Sequence, residues 1–338
     1  IETYKKKNQP VILNGVLVNG YYVKGNVTLN GKKVKRILGQ SFADNHKIKK
    51  LKVKGVDEID DYAFVGSSAT EASISGCKKM GMYLFGDCKK LKKLYIEKIK
   101  TESPDFVVLP EMFCCPYQTE NFPVYAEKEG GPSWQAMSDY AREYQIYLIA
   151  GSMPEIDEAG NVFNTSYIFD RNGNQIGKHR KAHLFDINVK NGQYFKESDT
   201  LTPGNHATVF DTEFGKMGVM ICYDIRFPEF ARRMVLLGAK MIFVPAAFNM
   251  TTGPAHWELT FRARALDNQI YMLGCAPSRN VQAGYISWGH SIVTDPWGQV
   301  RNQLDEKEGI LIEEIDLEWE EQIREQLPLL THRRIELY

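Results

Sequence analysis

Three reactive side chains, Glu111, Lys181 and Cys222, lie where predicted strands of the chain end. A thiol can attack a carbonyl carbon, a carboxylate can move the proton, and an ammonium can stabilise the oxyanion that forms. Glu111 and Lys181 are 70 residues apart, and Lys181 and Cys222 are 41 apart, so no local motif joins them. Taken singly, Glu111 could be a helix cap, Lys181 a surface lysine and Cys222 a core cysteine. They act together only if a sheet brings its strand ends to one place.

Cys222 ends the apolar run 218–221 and is followed by a polar turn that leads into a predicted helix. Pro228 is a favourable first helical residue, and Gly238 ends the helical pattern. Such a strand–turn–helix elbow raises a nucleophile above a sheet. The helix N-terminus and Arg226 are both expected to favour a thiolate.

Length and composition predict a large globular protein, with 338 residues, 43% of them hydrophobic and 25% charged. No apolar run approaches the length of a membrane span, so we expect no membrane partner. Six cysteines in such a long chain are not a disulfide framework, which favours a reducing, cytoplasmic location. Because residue 1 is not Met, the removal of a leader stays open.

The net charge of zero hides a strong asymmetry along the chain. Residues 1–100 carry 21 Lys and Arg against 9 Asp and Glu, a net charge of +12, so the remainder carries −12. This contrast predicts two modules with a boundary near residue 100. We expect the lysines of the first module to form a solvated face rather than a nucleic-acid site, because no aromatic residues are interleaved with them.

A pattern of about three repeats occupies residues 11–100, after strands predicted over 11–17 and 21–29. A phenylalanine recurs at spacings of 22 and 21, with an aliphatic residue five positions before it and Asn, Ser or Cys three after it. Apolar pairs follow the first and third units, whereas the middle unit keeps only Ile74, out of phase. Such units predict a solenoid in which equivalent residues of successive units stack on one another. The repeated sets are Ile37, Phe42 and Asn45; Ile59, Phe64 and Ser67; Met80, Phe85 and Cys88.

These repeats resemble surface-antigen leucine-rich repeats, and the module could bind a protein partner. Residues 105–338 instead alternate apolar runs with amphipathic patterns, which predicts an α/β domain with helices covering its sheets. Strands are predicted at 105–110, 146–150, 162–169, 178–186, 209–214, 218–222, 241–245, 270–276, 288–297 and 309–315, and helices at 132–144, 227–237 and 257–269.

Three ordered blocks surround the reactive residues, at 109–113, 177–186 and 218–229. They resemble the signature blocks of the nitrilase, or carbon–nitrogen hydrolase, superfamily. The resemblance implies an α–β–β–α sandwich over residues 101–338, preceded here by the short β-rich leucine-rich-repeat solenoid over 1–100. It also implies a small-molecule amide substrate, no metal or other cofactor, and a homodimer as one possible assembly.

The resemblance also implies roles for individual residues. Cys222 would be the nucleophile, Glu111 the general base and Lys181 the cation that stabilises the oxyanion. The backbone N–H of Tyr223 would join Lys181 in that task. Glu197 matches a second glutamate that helps to position the substrate and the triad.

Further blocks narrow the resemblance to the omega-amidase branch, which hydrolyses the ω-amide of α-ketoglutaramate and α-ketosuccinamate through a cysteine thioester, releasing the keto acid and ammonia. Arg226 and Thr251 are candidates for binding the anionic substrate, although Arg226 could equally form a structural ion pair. The blocks are 195–198, 247–259, 262–269, 288–291 and 328–334.

Other reactive residues are interpreted as structural. His183, His256 and His290 lack the spacing of metal ligands, so we expect no metal site. Cys114 and Cys115 lie near Glu111 and match no catalytic position, so we interpret them as packing residues or as oxidation-sensitive thiols.

The chain departs from the family in one respect, because the first strand and helix of the sandwich are absent before Glu111. We hypothesise that the last repeat strand, near 94–96, substitutes by pairing with the sandwich sheet. Two alternatives remain open. The domain could hydrolyse other amides or carbamoyl compounds, or it could be inactive in a repeat-based binding protein.

Overall fold

The computed structural model describes residues 9–60, 62–75, 77, 79–80, 93–96, 103–190 and 194–337. The chain divides into two compact units, Ile1–Pro104 and Asp105–Tyr338. Within the ranges described, no helix has the length and hydrophobicity that a membrane span requires.

The first unit is built from two sheets that take their strands alternately along the chain. One has the order β1-β2-β4-β6-β8 and the other β3-β5-β7-β9; all pairs are parallel except the β1–β2 hairpin. Each turn of this solenoid therefore adds a strand to both sheets. The strands are β1 Val11–Leu13, β2 Val16–Asn19, β3 Gly25–Asn30, β4 Arg36–Ile37, β5 Ile48–Lys54, β6 Glu58–Ile59, β7 Glu71–Ser75, β8 Lys79–Met80 and β9 Lys93–Ile96.

The repeated residues stack on one another between the sheets. Phe42 and Phe64 are fully buried, with ring centroids 5.2 Å apart. Ile37 of β4 is paired with Ile59 of β6. Like residues thus occupy the same column of the core, as the repeat pattern predicts. Phe85 and Cys88 lie outside the described residues.

The middle repeat is in register despite its shifted spacing. Ala72 pairs with Leu51, and Ile74 pairs with Val53. Ala72 lies one residue nearer to Phe64 than Leu51 lies to Phe42. The connecting turn of the middle repeat is therefore one residue shorter, which restores the register. The expectation that Ile74 is out of phase was therefore wrong for the structure.

The second unit contains two main sheets and one small hairpin. The first sheet has the order β10-β11-β12-β13, the second β16-β17-β18-β19-β20-β21, and β14 pairs with β15. The strands are β10 Phe106–Val108, β11 Tyr147–Ile156, β12 Val162–Phe169, β13 Gln175–Arg180, β14 Asp186–Asn188, β15 Tyr194–Lys196, β16 Thr208–Thr212, β17 Gly215–Val219, β18 Met241–Pro245, β19 Tyr271–Cys275, β20 Ile292–Thr294 and β21 Val300–Gln303. The helices are α1 Phe122–Tyr125, α2 Pro132–Tyr144, α3 Pro228–Leu236, α4 Gly253–Asn268 and α5 Leu317–Gln326.

Three apolar layers hold these elements together. Helix α2 packs through Met137 and Ala141 on β11 and β12. Side chains of the two sheets meet in a central layer that includes Ile149 and Phe243. Helices α3 and α4 cover the other face of the second sheet, where Trp257 is buried. The predicted α–β–β–α sandwich is confirmed.

Strand β11 continues beyond its predicted end at residue 150, because a bulge lies between Ala150 and Met153. Gly151 in this bulge has φ +39°, and a Cβ there would lie 2.2 Å from the carbonyl oxygen of Pro110. Only glycine therefore allows the chain that carries Glu111 to pass this close to β11.

One other expectation was wrong. Residues 309–315 form no strand, and the side chains of Ile310 and Ile312 are each 51% exposed, so this segment lacks the buried face that stabilises a strand. The last described repeat strand, β9, pairs with β7 inside the repeat sheet, and its pairing with the sandwich sheet stays a hypothesis.

Glu320 in α5 provides a test of the packing of this helix. The residue is fully buried, and burial raises the pKa of its carboxyl to about 8 although Arg324 and Lys240 oppose the change. Between the usual value of 4.5 and 8, the folded protein therefore holds a proton that the unfolded chain has lost. The free energy of unfolding should fall as pH rises through this range, by at most ~1.4 kcal/mol per pH unit.

Replacing Glu320→Gln should remove this fall and make the protein more stable than the wild type above pH 8. Urea unfolding at a series of pH values measures the effect. Glu321→Gln is the matched control, because its side chain is 60% exposed. A wild-type slope that persists in Glu320→Gln would contradict the prediction.

Candidate active site

Lys181 follows β13 directly, and its ammonium is buried between two carboxylates. Its Nζ lies 2.9 Å from Oε1 of Glu111 and 2.9 Å from Oε1 of Glu197. Burial alone would lower the pKa of Lys181, but the two carboxylates more than offset this, so its pKa is raised. The ammonium therefore stays charged although it is fully buried.

Three hydrogen-bond donors hold the buried carboxylate of Glu197. The Tyr117 hydroxyl donates to Oε1 at 2.8 Å, the Phe185 N–H donates to Oε2 at 2.7 Å, and Lys181 donates to the same carboxylate. Burial raises the pKa of Glu197, and Lys181 opposes this change. The second carboxylate is thus rigidly fixed against the ammonium.

Glu111 lies in the turn after β10 and is hydrogen-bonded on one oxygen only. Its Oε1 accepts from Lys181 and from Asn164 Nδ2, the latter at 2.9 Å. The buried Oε2 has no nitrogen or oxygen donor in the part of the chain that the structure describes. The next residue, Met112, has φ +50°, and its N–H donates to Ser152 Oγ of the β11 bulge at 3.0 Å. The turn that aims Glu111 is thereby anchored to β11.

Cys222 begins a 3₁₀ turn, Cys222–Arg226, between β17 and α3. Its φ of +46° is rare for a residue with a side chain, as expected of a strained elbow. The Glu111 carboxylate, the Lys181 ammonium and the backbone of Ala247 all lie close enough to its thiol to act on the pKa of Cys222. Glu111, Lys181 and Cys222 are therefore brought together in one buried cluster.

The charge state of the thiol differs from the sequence-based expectation. Burial and the carboxylate of Glu111 raise the pKa of Cys222, and the opposing effects of Lys181 and the Ala247 N–H are smaller. Burial therefore favours the protonated thiol in this structure, whereas the helix N-terminus and Arg226 led us to expect a thiolate.

Asp224 ties the elbow to the segment that carries Lys181. Its Oδ2 accepts from the Ile221 N–H and faces His179 Nε2, both at 3.0 Å. Its Oδ1 accepts from the His183 N–H at 2.9 Å and faces His183 Nδ1 at 2.8 Å. Burial opposes ionisation, but these partners outweigh it and lower the pKa of Asp224. One buried carboxylate thus fixes the residues adjacent to Cys222 and near Lys181.

Arg226 lies half-buried at the end of the elbow. Its Nη1 is 2.9 Å from His256 Nδ1, and its guanidinium packs over the ring of Phe248 at 4.6 Å. Among the described residues it forms no ion pair with a carboxylate, and its Nε is buried without a partner. The predicted alternative of a structural ion pair is therefore not observed in these ranges.

The other two predicted site residues, Thr251 and Tyr223, make contacts with residues outside the triad. Thr251 is exposed before α4, and its N–H donates to Asn249 Oδ1 at 3.0 Å. Tyr223 is half-buried, and its ring packs against Phe185. No contact between the Thr251 hydroxyl and Cys222 is found in the described part of the chain.

Three residues near the cluster were missed by sequence reasoning: Asn164, Tyr117 and Tyr285. The Tyr285 hydroxyl donates to the Ala247 carbonyl at 2.5 Å, and its ring lies 4.5 Å from that of Tyr117. Asn164 lies within β12 and Tyr285 within an irregular segment, where no local pattern indicates a functional role. Tyr117 follows Glu111 closely, and this proximity was the one available signal.

The remaining histidines and cysteines show structural contacts. His183 stacks on Phe227 with ring centroids 3.8 Å apart, and His290 Nδ1 is 2.8 Å from the Trp288 carbonyl. In the ranges described, no group of His, Cys, Asp and Glu side chains could hold a metal ion. Burial raises the pKa of Cys114 to about 12, so this thiol is a poor nucleophile near neutral pH.

Comparisons with known proteins agree with this geometry. The Carbon-nitrogen hydrolase family model matches residues 88–325, and the BspA type Leucine rich repeat region matches six copies over residues 24–106, more than the three units distinguished in the sequence. The chain is 48% identical over 243 residues to Omega-amidase NIT2-A of Xenopus laevis, covering 72% of this chain and 88% of that protein.

Two further matches extend the comparison to fungi and to solved structures. Omega-amidase NIT3 of Saccharomyces cerevisiae is 46% identical over 251 residues, covering 72% of this chain and 86% of that protein. The crystal structure of Saccharomyces cerevisiae Nit3, a member of branch 10 of the nitrilase superfamily, matches with a TM-score of 0.65 and 43% identity over 70% of this chain and 86% of that one.

The buried carboxylate of Asp224 leads to a stability prediction. Asp224→Asn should lower the free energy of unfolding by about 3 kcal/mol, because several buried donors lose their charged acceptor. Since the pKa of Asp224 is lowered in the folded protein, its contribution is present above the usual carboxyl pKa and is lost as pH falls below it. The stability difference from the wild type should therefore shrink in acid.

Urea unfolding of both proteins at neutral and acidic pH measures this difference. Asp211→Asn is the matched control, because its side chain is 81% exposed beside Lys216. A difference between wild type and Asp224→Asn that stays constant down to the acid limit would count against the proposed clamp.

Proposed function

Since the chain belongs to the carbon–nitrogen hydrolase family and is an omega-amidase-like enzyme, we propose that its substrates are α-ketoglutaramate and α-ketosuccinamate. The buried cluster of Cys222, Glu111 and Lys181 carries this proposal. It provides a nucleophile, a base and a cation in contact, as amide hydrolysis requires. The products are the dicarboxylic keto acid and ammonia.

Cys222 is proposed to attack the amide carbon as its proton moves to Glu111. The raised pKa of the thiol supports a scheme in which Glu111 takes the proton during the attack. The oxyanion that forms is stabilised by the Lys181 ammonium and by the Tyr223 N–H. Glu111 then donates the proton to the departing nitrogen, so ammonia leaves and a thioester with Cys222 remains.

Water completes the cycle in the proposed second half-reaction. Glu111 removes a proton from a water molecule, which attacks the thioester carbon. The carbon–sulfur bond breaks, the thiol regains a proton and the carboxylate product leaves. Glu197 takes no proton in this scheme. Fixed by Tyr117 and the Phe185 N–H, it holds Lys181 where both oxyanions develop.

Substrate selection is proposed to depend on Arg226. Its guanidinium lies at the end of the nucleophile turn and lacks a carboxylate partner among the residues described. A keto-acid monoamide carries one carboxylate at the end opposite its amide, which suits this cation. Thr251 is proposed as a further hydrogen-bond partner of that carboxylate.

The proposal also covers organisation. We assign residues 1–100 to a repeat module and 101–338 to the hydrolase domain, and we propose a homodimer formed by the hydrolase domain. Support for the boundary comes from the division of the structure at Pro104 and from the repeat family match, which ends at residue 106.

Cys222→Ala should reduce ammonia release from α-ketoglutaramate by about a thousandfold or more, because the covalent route is lost. A coupled ammonia assay measures the rate. Cys77→Ala, in the repeat unit, is the matched control and should leave it unchanged. Full folding of the wild type without turnover of any amide or carbamoyl compound in a panel would favour an inactive binding protein.

Arg226→Met should raise the KM for both keto-acid monoamides by about ten- to a hundredfold, with a smaller effect on kcat, since a charged partner of the substrate is removed. Hydrolysis of an uncharged amide of similar length provides the internal control and should change little. Equal losses on charged and uncharged amides would show that Arg226 supports the elbow and does not bind the substrate.

A further inference from the structure

A row of lysines runs along β5 on the exposed face of the repeat unit. Lys50, Lys52 and Lys54 are exposed and alternate with the buried Leu51 and Val53. Their side chains therefore leave the same face of the strand, about 6.6 Å apart. Strand β5 lies between β3 and β7, so the row does not protect a sheet edge, where lysine is often used against aggregation.

The neighbouring strands supply few negative charges to this row. In the described part of the unit, the ion pairs involve Lys35 and Arg36, and neither Lys52 nor Lys54 forms one. Lys52 and Lys54 are paired only with uncharged residues of the neighbouring strands. Like charges along a strand destabilise a sheet when no opposite charge lies across from them, so an anionic partner at these two lysines would stabilise the unit. The rows across β3, β5 and β7 are Asn26–Lys50–Glu71, Thr28–Lys52–Ser73 and Asn30–Lys54–Ser75.

The row ends in an open depression that is also basic. Its volume is about 530 Å³, and Lys32, Lys35 and Lys54 line it together with Asn30, Gly31 and Gly55. Lys35 approaches Asp57 only to 3.9 Å. At Gly55 a Cβ would meet nothing within 4 Å, so the backbone is open to a ligand. The depression extends the positive charge beyond the strand.

The geometry favours an extended acidic polypeptide over a nucleic acid. Strands β3, β5 and β7 contain no aromatic residue on which bases could stack, and the one aromatic residue of β9, Tyr95, is paired with Ser73, two strands away from the lysines. Side chains on one face of an extended polypeptide recur every ~6.6 Å, which is the spacing of the lysines. Carboxylates at every second position would thus meet successive lysines without distortion.

We propose that this face binds an extended acidic segment of a partner protein, with carboxylates on alternate residues placed along Lys52 and Lys54 and one further carboxylate at the depression. The repeat module then recruits a partner, independently of the amide chemistry of the second unit.

Fluorescence anisotropy with the full chain tests the proposal. The probe is a labelled peptide with glutamate at every second position and serine between, compared with a peptide of the same composition whose glutamates are adjacent in pairs. The alternating peptide should bind more tightly, and its affinity should fall about tenfold between about 50 mM and about 200 mM salt, because surface pairs are screened.

Two variants locate the binding face. Lys52→Ser combined with Lys54→Ser should weaken binding of the alternating peptide at least about fivefold, whereas the matched control, Lys24→Ser with Lys47→Ser, should change it less than about twofold. Thr28→Asp should also weaken binding, because it neutralises Lys52 across the strands. That variant adds an opposite-charge pair and so cannot act by destabilising the sheet.

Several results would overturn the proposal: no binding of either peptide, equal affinity for the two peptides, equal losses in the two double variants, or unchanged binding in Thr28→Asp. Tighter binding of an oligo(dT) strand than of the alternating peptide would also overturn it and would indicate a nucleic-acid site. Thermal unfolding followed by circular dichroism confirms that each variant is folded.

Discussion

The buried ammonium of Lys181 is the constraint on which the second unit depends. An unpaired charge at this depth would be unfavourable by several kcal/mol, so the fold has to deliver two carboxylates to it. Glu111 comes from the turn after β10 and Glu197 from the segment after β15, and both lie 2.9 Å from the same nitrogen. Each connecting segment is therefore fixed by the electrostatics of the site as well as by apolar packing.

The nucleophile is positioned by a second buried charge. Cys222 has a positive φ, which is unfavourable by roughly 1–3 kcal/mol and persists only where neighbouring contacts determine the backbone. Asp224 supplies those contacts by binding the Ile221 N–H on one oxygen and the His183 N–H on the other. The same carboxylate thus joins the elbow to the chain two residues after Lys181.

Local patterns were enough to predict most of the second unit. The predicted helix 132–144 agrees with α2, and the predicted strands 162–169 and 241–245 agree with β12 and β18, since each has a clear period and a clear boundary residue. Long-range features were not accessible in this way. The bulge that extends β11, the hydrogen bonds of Asn164 and Tyr285, and the raised pKa of Cys222 all depend on residues distant in sequence.

The places where local rules of stability fail coincide with the places where chemistry is proposed. The described chain leaves Glu111 Oε2 buried without a nitrogen or oxygen donor and gives Cys222 a strained backbone. A protein selected only for stability would give the Glu111 oxygen a hydrogen-bond donor and would relax the backbone of Cys222. Lys52 and Lys54 of β5 depart from a rule of the same kind, because they are paired only with uncharged residues of the neighbouring strands. In both places the unsatisfied group defines the chemistry of the partner that we propose: a proton donor at Glu111, and carboxylates at the two lysines.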